Sequence, residues 1–160
     1  MPSSPAPEAT DPLQRLTDLE DIRALVSSFA RSIDTKDQEQ YAANFAEDGV
    51  LELPFGSRVG RASIAEMKGP PPGTHSHHLL GQIDVVLDGD IATATTYMLA
   101  THVFSPDSLS EKAHSGGWYE QELVRTGEGW RFATVKLVIR WADERPMIPT
   151  NPTEAGAIAS

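Results

Sequence analysis

The chain contains no cysteine, few basic residues and no long apolar run, and each lack removes a class of function. Without cysteine there is no disulfide framework, no thiolate nucleophile and no cysteine zinc site, and the redox compartment stays open. Thirteen Lys+Arg stand against 23 Asp+Glu, a formal net charge of -10. No basic run provides a footprint for a phosphate backbone or an anionic membrane, so nucleic-acid binding is not expected. No stretch approaches the roughly 20 apolar residues that span a bilayer. The start, Met1-Pro-Ser-Ser-Pro-Ala-Pro, has neither a basic n-region nor an apolar h-region, so a cytoplasmic protein without a membrane segment is expected. No Gly-rich cofactor motif is present, and no cofactor is expected. What remains is 160 residues, 39% of them hydrophobic, enough for one domain with a buried core.

Residues 1–12 are rich in Pro, Ser and Ala and read as a disordered arm, leaving 13–142 as the folded domain. Thr17 with Glu20 fits a capping box, and Leu19, Ile22, Leu25, Val26, Phe29 and Ile33 then recur at helical spacing, which predicts a long helix with one buried face. A second short helix is expected over 37–46, with Tyr41 and Phe45 four apart, stopping at a Glu47-Asp48-Gly49 turn before a short strand over 50–53. One more helix fits 62–68, ended by Gly69-Pro70-Pro71-Pro72-Gly73. From His75 the period becomes that of strands. Residues 83–87 and 91–104 flank Asp88-Gly89-Asp90, residues 118–126 and 130–141 flank Gly127-Glu128-Gly129, and 105–113 reads as a polar connection. Helices first and antiparallel strands afterwards indicate α+β, a long helix packed into the concave face of a curved sheet. The tail, 143–160, is expected to be disordered or to fold over a pocket mouth.

Three residues stand out as proton-transfer groups: Asp34 near the end of the long helix, His78 opening a strand and His102 closing the next. Imidazole is a base whose ordinary pKa lies near neutral pH, as removal of a proton beside a carbonyl requires. His75 and His77 lie two apart, on the face opposite His78; a His-x-His pair can bind metal, but no third ligand is evident nearby, and no metal is expected. Trp130 and Trp141 are assigned to the core or a subunit interface.

The order of elements, with Ser32-Ile-Asp-Thr-Lys-Asp37, His78-Leu-Leu-Gly81 and Gly129-Trp-Arg-Phe-Ala133 continuing to Ile139-Arg-Trp141, resembles the SnoaL-like branch of the NTF2-like superfamily, nearest to the scytalone dehydratases. The resemblance implies a cone-shaped α+β fold and catalytic roles for Asp34, His78 and His102. In that reading His78 is the base, Asp34 fixes its tautomer and stabilises the imidazolium, and His102 donates to a leaving hydroxyl or an oxyanion. Phe29, Ile33, Leu53, Phe55, Met98 and Tyr119 would line the cone, whose dryness strengthens each polar contact. One family device is missing, because the two tyrosines that hold a carbonyl-polarising water match Ile33 and Leu53. Either Tyr119, Tyr97 or His102 replaces it, or the reaction differs.

The expected function is a cofactor-free dehydratase acting on a hydrophobic cyclic or polyketide-like hydroxy-ketone. An isomerase or cyclase using the same site, and a binding or assembly module without chemistry, are the alternatives; fold alone does not choose among them. A homo-oligomer, trimer before dimer, is expected from the resemblance and from apolar residues on both faces of 135–139.

Overall fold

The computed structural model describes residues 11–68, 72–105, 107 and 110–143. Helix α1 spans Pro12–Thr35. It starts upstream of the expected capping box because Asp11 is the N-cap, accepting from the Leu13 N–H, and proline suits the first turn, where its missing N–H has no helical partner. Thr17 lies inside the helix and donates its hydroxyl to Leu13 O. Asp11 and Pro12 are thus removed from the expected arm; residues 1–10 and the tail from 144 lie outside the described residues. The helix stops at Lys36, in the left-handed conformation (φ 58°), with the Asp37 N–H returning to Ser32 O at 2.9 Å. That stop places Asp34 in the last turn.

The short helix α2 (Gln38–Ala43) is capped by Asp37 and ends before the expected 46. Strand β1 (Phe45–Leu53) runs through the residues expected to form a turn. A register break between Phe45 and Val50 explains the difference. A Cβ on Gly49 would come within 3.0 Å of Ala46 O, Phe132 O and Phe45 Cβ, so glycine here permits close backbone approach at an irregular strand. Strand β2 (Gly56–Val59), absent from the sequence expectation, pairs with β1, and α3 (Arg61–Ala65) is shorter than expected. Strands β3 (His75–Asp88) and β4 (Ile91–Val103) form the expected long hairpin, with Gly89 supplying φ +60°. Strand β5 (Lys112–Thr126) begins before the expected 118 and takes in the last two residues of the expected polar connection, and β6 (Gly129–Ala142) completes the sheet.

The sheet order is β2-β1-β6-β5-β4-β3; β1 and β6 are parallel and every other pair is antiparallel. Register shifts at Leu80/Ile83, Gly116/Gly117 and Glu122/Leu123 provide the local irregularities that bend a sheet. The result is the expected α+β cone, with α1 packed chiefly against β3. Ile22, Val26 and Phe29 face inward at helical spacing. The Phe29 ring stacks on Tyr41 at 5.1 Å and meets the edges of Tyr119 and Phe132 at 5.4 and 5.5 Å. Near its start the helix is clamped to the sheet by Asp18, which is 2% exposed. Both Asp18 oxygens accept from Arg125 at 2.7 Å, and Trp130 Nε1 and Gln14 add further donors. The Arg125 hydrogen bonds, chief among these, pull the Asp18 carboxyl down to about 2 against the cost of burial. Among the described residues no helix is long and apolar enough to cross a membrane.

Candidate active site

Alternation along β3 sends Ser76 and His78 to the face that meets the end of α1, while His75 and His77 are exposed on the other. Asp34 and His78 come together there. His78 Nδ1 lies 2.7 Å from Asp34 Oδ1, and the His78 backbone N–H donates to Oδ2 at 2.9 Å. The Ser76 hydroxyl donates to Oδ1 at 3.0 Å. The His78 side chain is 6% exposed and that of Asp34 22%, so the pair is largely shielded from water.

An ionised carboxylate can only accept, so the ring nitrogen facing Asp34 carries the proton. In the neutral imidazole this leaves the Nε2 lone pair as the base. Burial works to raise the Asp34 pKa, but the hydrogen bonds from the His78 ring and backbone, the His78 charge and Ser76 together outweigh it and hold the carboxyl below its ordinary value. His102, opposite Ser76 in the register of β4, sets its ring perpendicular to that of His78, centroids 5.8 Å apart. Burial, reinforced by His78 and partly opposed by Asp34, lowers the His102 pKa below its ordinary value and favours a neutral ring. Tyr119 is 3% exposed; burial, then the Asp34 charge, push its phenol upward and keep it a neutral donor.

These groups lie within the span matched by the SnoaL-like domain family, residues 14–136. The chain belongs to the SnoaL-like domain family. Rv2910c, an uncharacterized protein of Mycobacterium tuberculosis (strain ATCC 25618 / H37Rv), is 37% identical over 54 residues, 34% of this chain and 36% of its own length. The match thus spans only about a third of that relative. Among solved structures, the chain is similar to a candidate scytalone dehydratase from Novosphingobium aromaticivorans DSM 12444, with a TM-score of 0.68 and 18% identity over 82% of this chain and 90% of that one. It is also similar to a type 2 hexachlorocyclohexane dehydrochlorinase (LinA), with a TM-score of 0.74 and 15% identity over 90% and 99%. At these identities the structural likeness speaks to the fold.

In this SnoaL-like domain, Phe29, Met98 and Tyr119 are buried in the core, and Ile33 and Leu53 are partly buried against it. Two expected lining residues are not inside. Tyr97 is 59% exposed, because Thr96 and Met98 on either side of it take the inward face and neighbouring strand residues cannot share one. Its ring meets Trp118 on the outer surface at 5.7 Å. Phe55 is 62% exposed in the turn between β1 and β2, beyond the reach of strand alternation. Of the three groups suggested as replacements for the missing carbonyl device, the fold therefore leaves Tyr119 and His102. Among the described residues no group of three or more His, Asp or Glu is placed to hold a metal ion. His114 lies on β5 and meets Asp143 through its ring at 3.0 Å. Sequence reasoning missed Ser76, whose signal was its place two residues before His78 on the same strand face.

Proposed function

We propose that this SnoaL-like protein is a cofactor-free lyase, a dehydratase acting on a hydrophobic cyclic or polyketide-like hydroxy-ketone. The observation that carries the reading is the 2.7 Å contact between His78 Nδ1 and Asp34, which leaves Nε2 as a base of fixed tautomer. In the proposed step Nε2 takes the proton from the carbon beside the substrate carbonyl, and the C–H electron pair moves toward the carbonyl oxygen. The pair then returns to form the C=C bond as the β-hydroxyl takes the proton held on the His78 imidazolium and leaves as water, which restores the free Nε2. Asp34 stabilises the imidazolium formed in between. His102, neutral and beside His78, donates a hydrogen bond to the departing hydroxyl, and Tyr119 donates to the developing oxyanion.

The test is turnover of a panel of cyclic β-hydroxy-ketones followed by mass spectrometry, with His78→Ala and Asp34→Asn beside the unaltered protein. Loss of one water, reduced about a hundredfold or more in both variants, is the expected result. Unchanged mass with a moved double bond or a new ring means an isomerase or cyclase; tight binding without turnover means a binding module.

The same reading includes a homotrimer formed through the outer face of the sheet. Leu79, Leu99, Tyr97 and Trp141 leave an apolar surface there, 38–59% exposed residue by residue. Analytical ultracentrifugation at micromolar concentration should give a trimer that Trp141→Glu weakens; a monomer overturns this part.

A further inference from the structure

We propose that Ser76 is a positioning residue for the Asp34 and His78 pair, its hydroxyl fixing which carboxylate oxygen meets the ring and keeping that carboxylate charged. This rests on the site assigned above, and it adds a residue to which the dehydratase reading gives no part.

Both oxygens of Asp34 accept hydrogen bonds. Oδ1 receives the Ser76 hydroxyl and His78 Nδ1, whereas Oδ2 receives the His78 N–H. Two of the three donors belong to His78. A carboxylate held by those two alone can rock about the line joining them without losing either. The third donor, from a different residue, defines the carboxylate plane and hence the direction along which Oδ1 faces the imidazole. An O–H bond to a carboxylate is charge-assisted, so it also favours the ionised acceptor over the protonated one.

The placement fits this role. Ser76 shares the inward face of β3 with His78 and is the cross-strand partner of His102 on β4. Among the described residues, the titratable groups that act on Asp34 or feel its charge are His78 from β3, His102 from β4 and Tyr119 from β5. His102 and Tyr119 are both held toward their neutral forms, and neither hydrogen-bonds the carboxylate among the described residues. Among the described residues, Ser76 is thus the donor to the carboxylate that His78 does not supply.

The full chain with Ser76→Ala, and separately Ser76→Thr, tests this by NMR. The Asp34 carboxyl carbon is titrated with pH, and the nitrogen shifts of His78 report which ring nitrogen carries the proton. In Ser76→Ala the Asp34 titration should move to higher pH, and the population with the proton on Nδ1 should fall. Ser76→Thr, which keeps the hydroxyl and suits a strand, should restore both. With a substrate in hand, Ser76→Ala should lower kcat about tenfold with KM little changed, the low end of what losing an outer partner of a functional histidine costs. An unchanged Asp34 titration and tautomer in folded Ser76→Ala overturns the proposal. So does a threonine variant as altered as the alanine one. If no hydroxy-ketone is turned over by the unaltered protein, the dehydratase reading fails while the NMR comparison still decides the role of Ser76.

Discussion

Replacing Asp34 by asparagine changes one atom and sets three donors against it. The carboxylate now accepts from Ser76 Oγ, His78 Nδ1 and the His78 N–H over 2.7–3.0 Å. An amide has one oxygen. If that oxygen stays toward the ring and Ser76, the new NH2 points at the His78 backbone N–H, donor against donor. If the amide flips, NH2 faces Nδ1, which must then accept, and the proton moves to Nε2. The second arrangement satisfies more groups but removes the base. Activity should therefore fall by about 10²–10⁴-fold, the range a positioned acid–base group supplies. Losing a charge-assisted contact in a partly buried place should cost about 1.5–3 kcal/mol of stability. Because the folded Asp34 pKa lies below its unfolded value, the unfolded chain binds more protons. The Asp34 contribution is then present above the unfolded value, about 4, and lost as pH falls through the folded one. The asparagine variant should lose that part of the acid slope. Urea unfolding across pH 3–7 and steady-state kinetics on the same samples provide the assay. A variant that keeps kcat/KM within about threefold of the original would refute the tautomer argument.

Arg125→Ala should destabilise by about 3–5 kcal/mol in urea, because it strands the buried Asp18 carboxylate; a loss below about 1 kcal/mol would mean that water or Trp130 replaces the guanidinium. Gly117→Ala should fail to give a cooperative unfolding transition, since a Cβ there overlaps the Val138 carbonyl, and a normal thermal melt would contradict the register at that bulge. His102, whose folded pKa lies below its unfolded value near 6.5, should make stability fall as pH drops below about 6.5, and His102→Gln should flatten that slope; equal slopes in both proteins would show that the ring is not desolvated.

Residue type marked Asp34, His78 and His102 as proton-transfer groups, and the family resemblance gave them one site. Alternation agrees for the two histidines, which fall on inward positions of paired strands, but says nothing of the helix end that carries Asp34. Alternation also marks Tyr97 as outward once Met98 is inward, and expecting both inside ignored the pleat. The helix start was obscured because Asp11-Pro12 resembles the Pro-rich arm before it, although an aspartate ahead of a proline is also a capping signal. Irregular strands were the hardest feature. Glu47-Asp48-Gly49 and Gly116-Gly117 look like turn residues, yet they lie within β1 and β5 at points where another backbone or ring comes too close for a side chain. Nothing local distinguishes a glycine that turns the chain from one that lets a neighbour approach.

The parallel pairing of β1 with β6 has a consequence for how the molecule is made. β1 leaves the ribosome well before the strand that covers its inner edge, so the junction must close a loop of about half the chain. The β1–β2, β3–β4 and β5–β6 hairpins can form locally, whereas α1 and the β6-facing edge of β1 wait for a distant partner. The sheet should therefore close only once β6 has emerged. A chain cut before β6 should keep its hairpins but leave β1 with an unpaired edge open to aggregation, rather than yield a smaller stable unit.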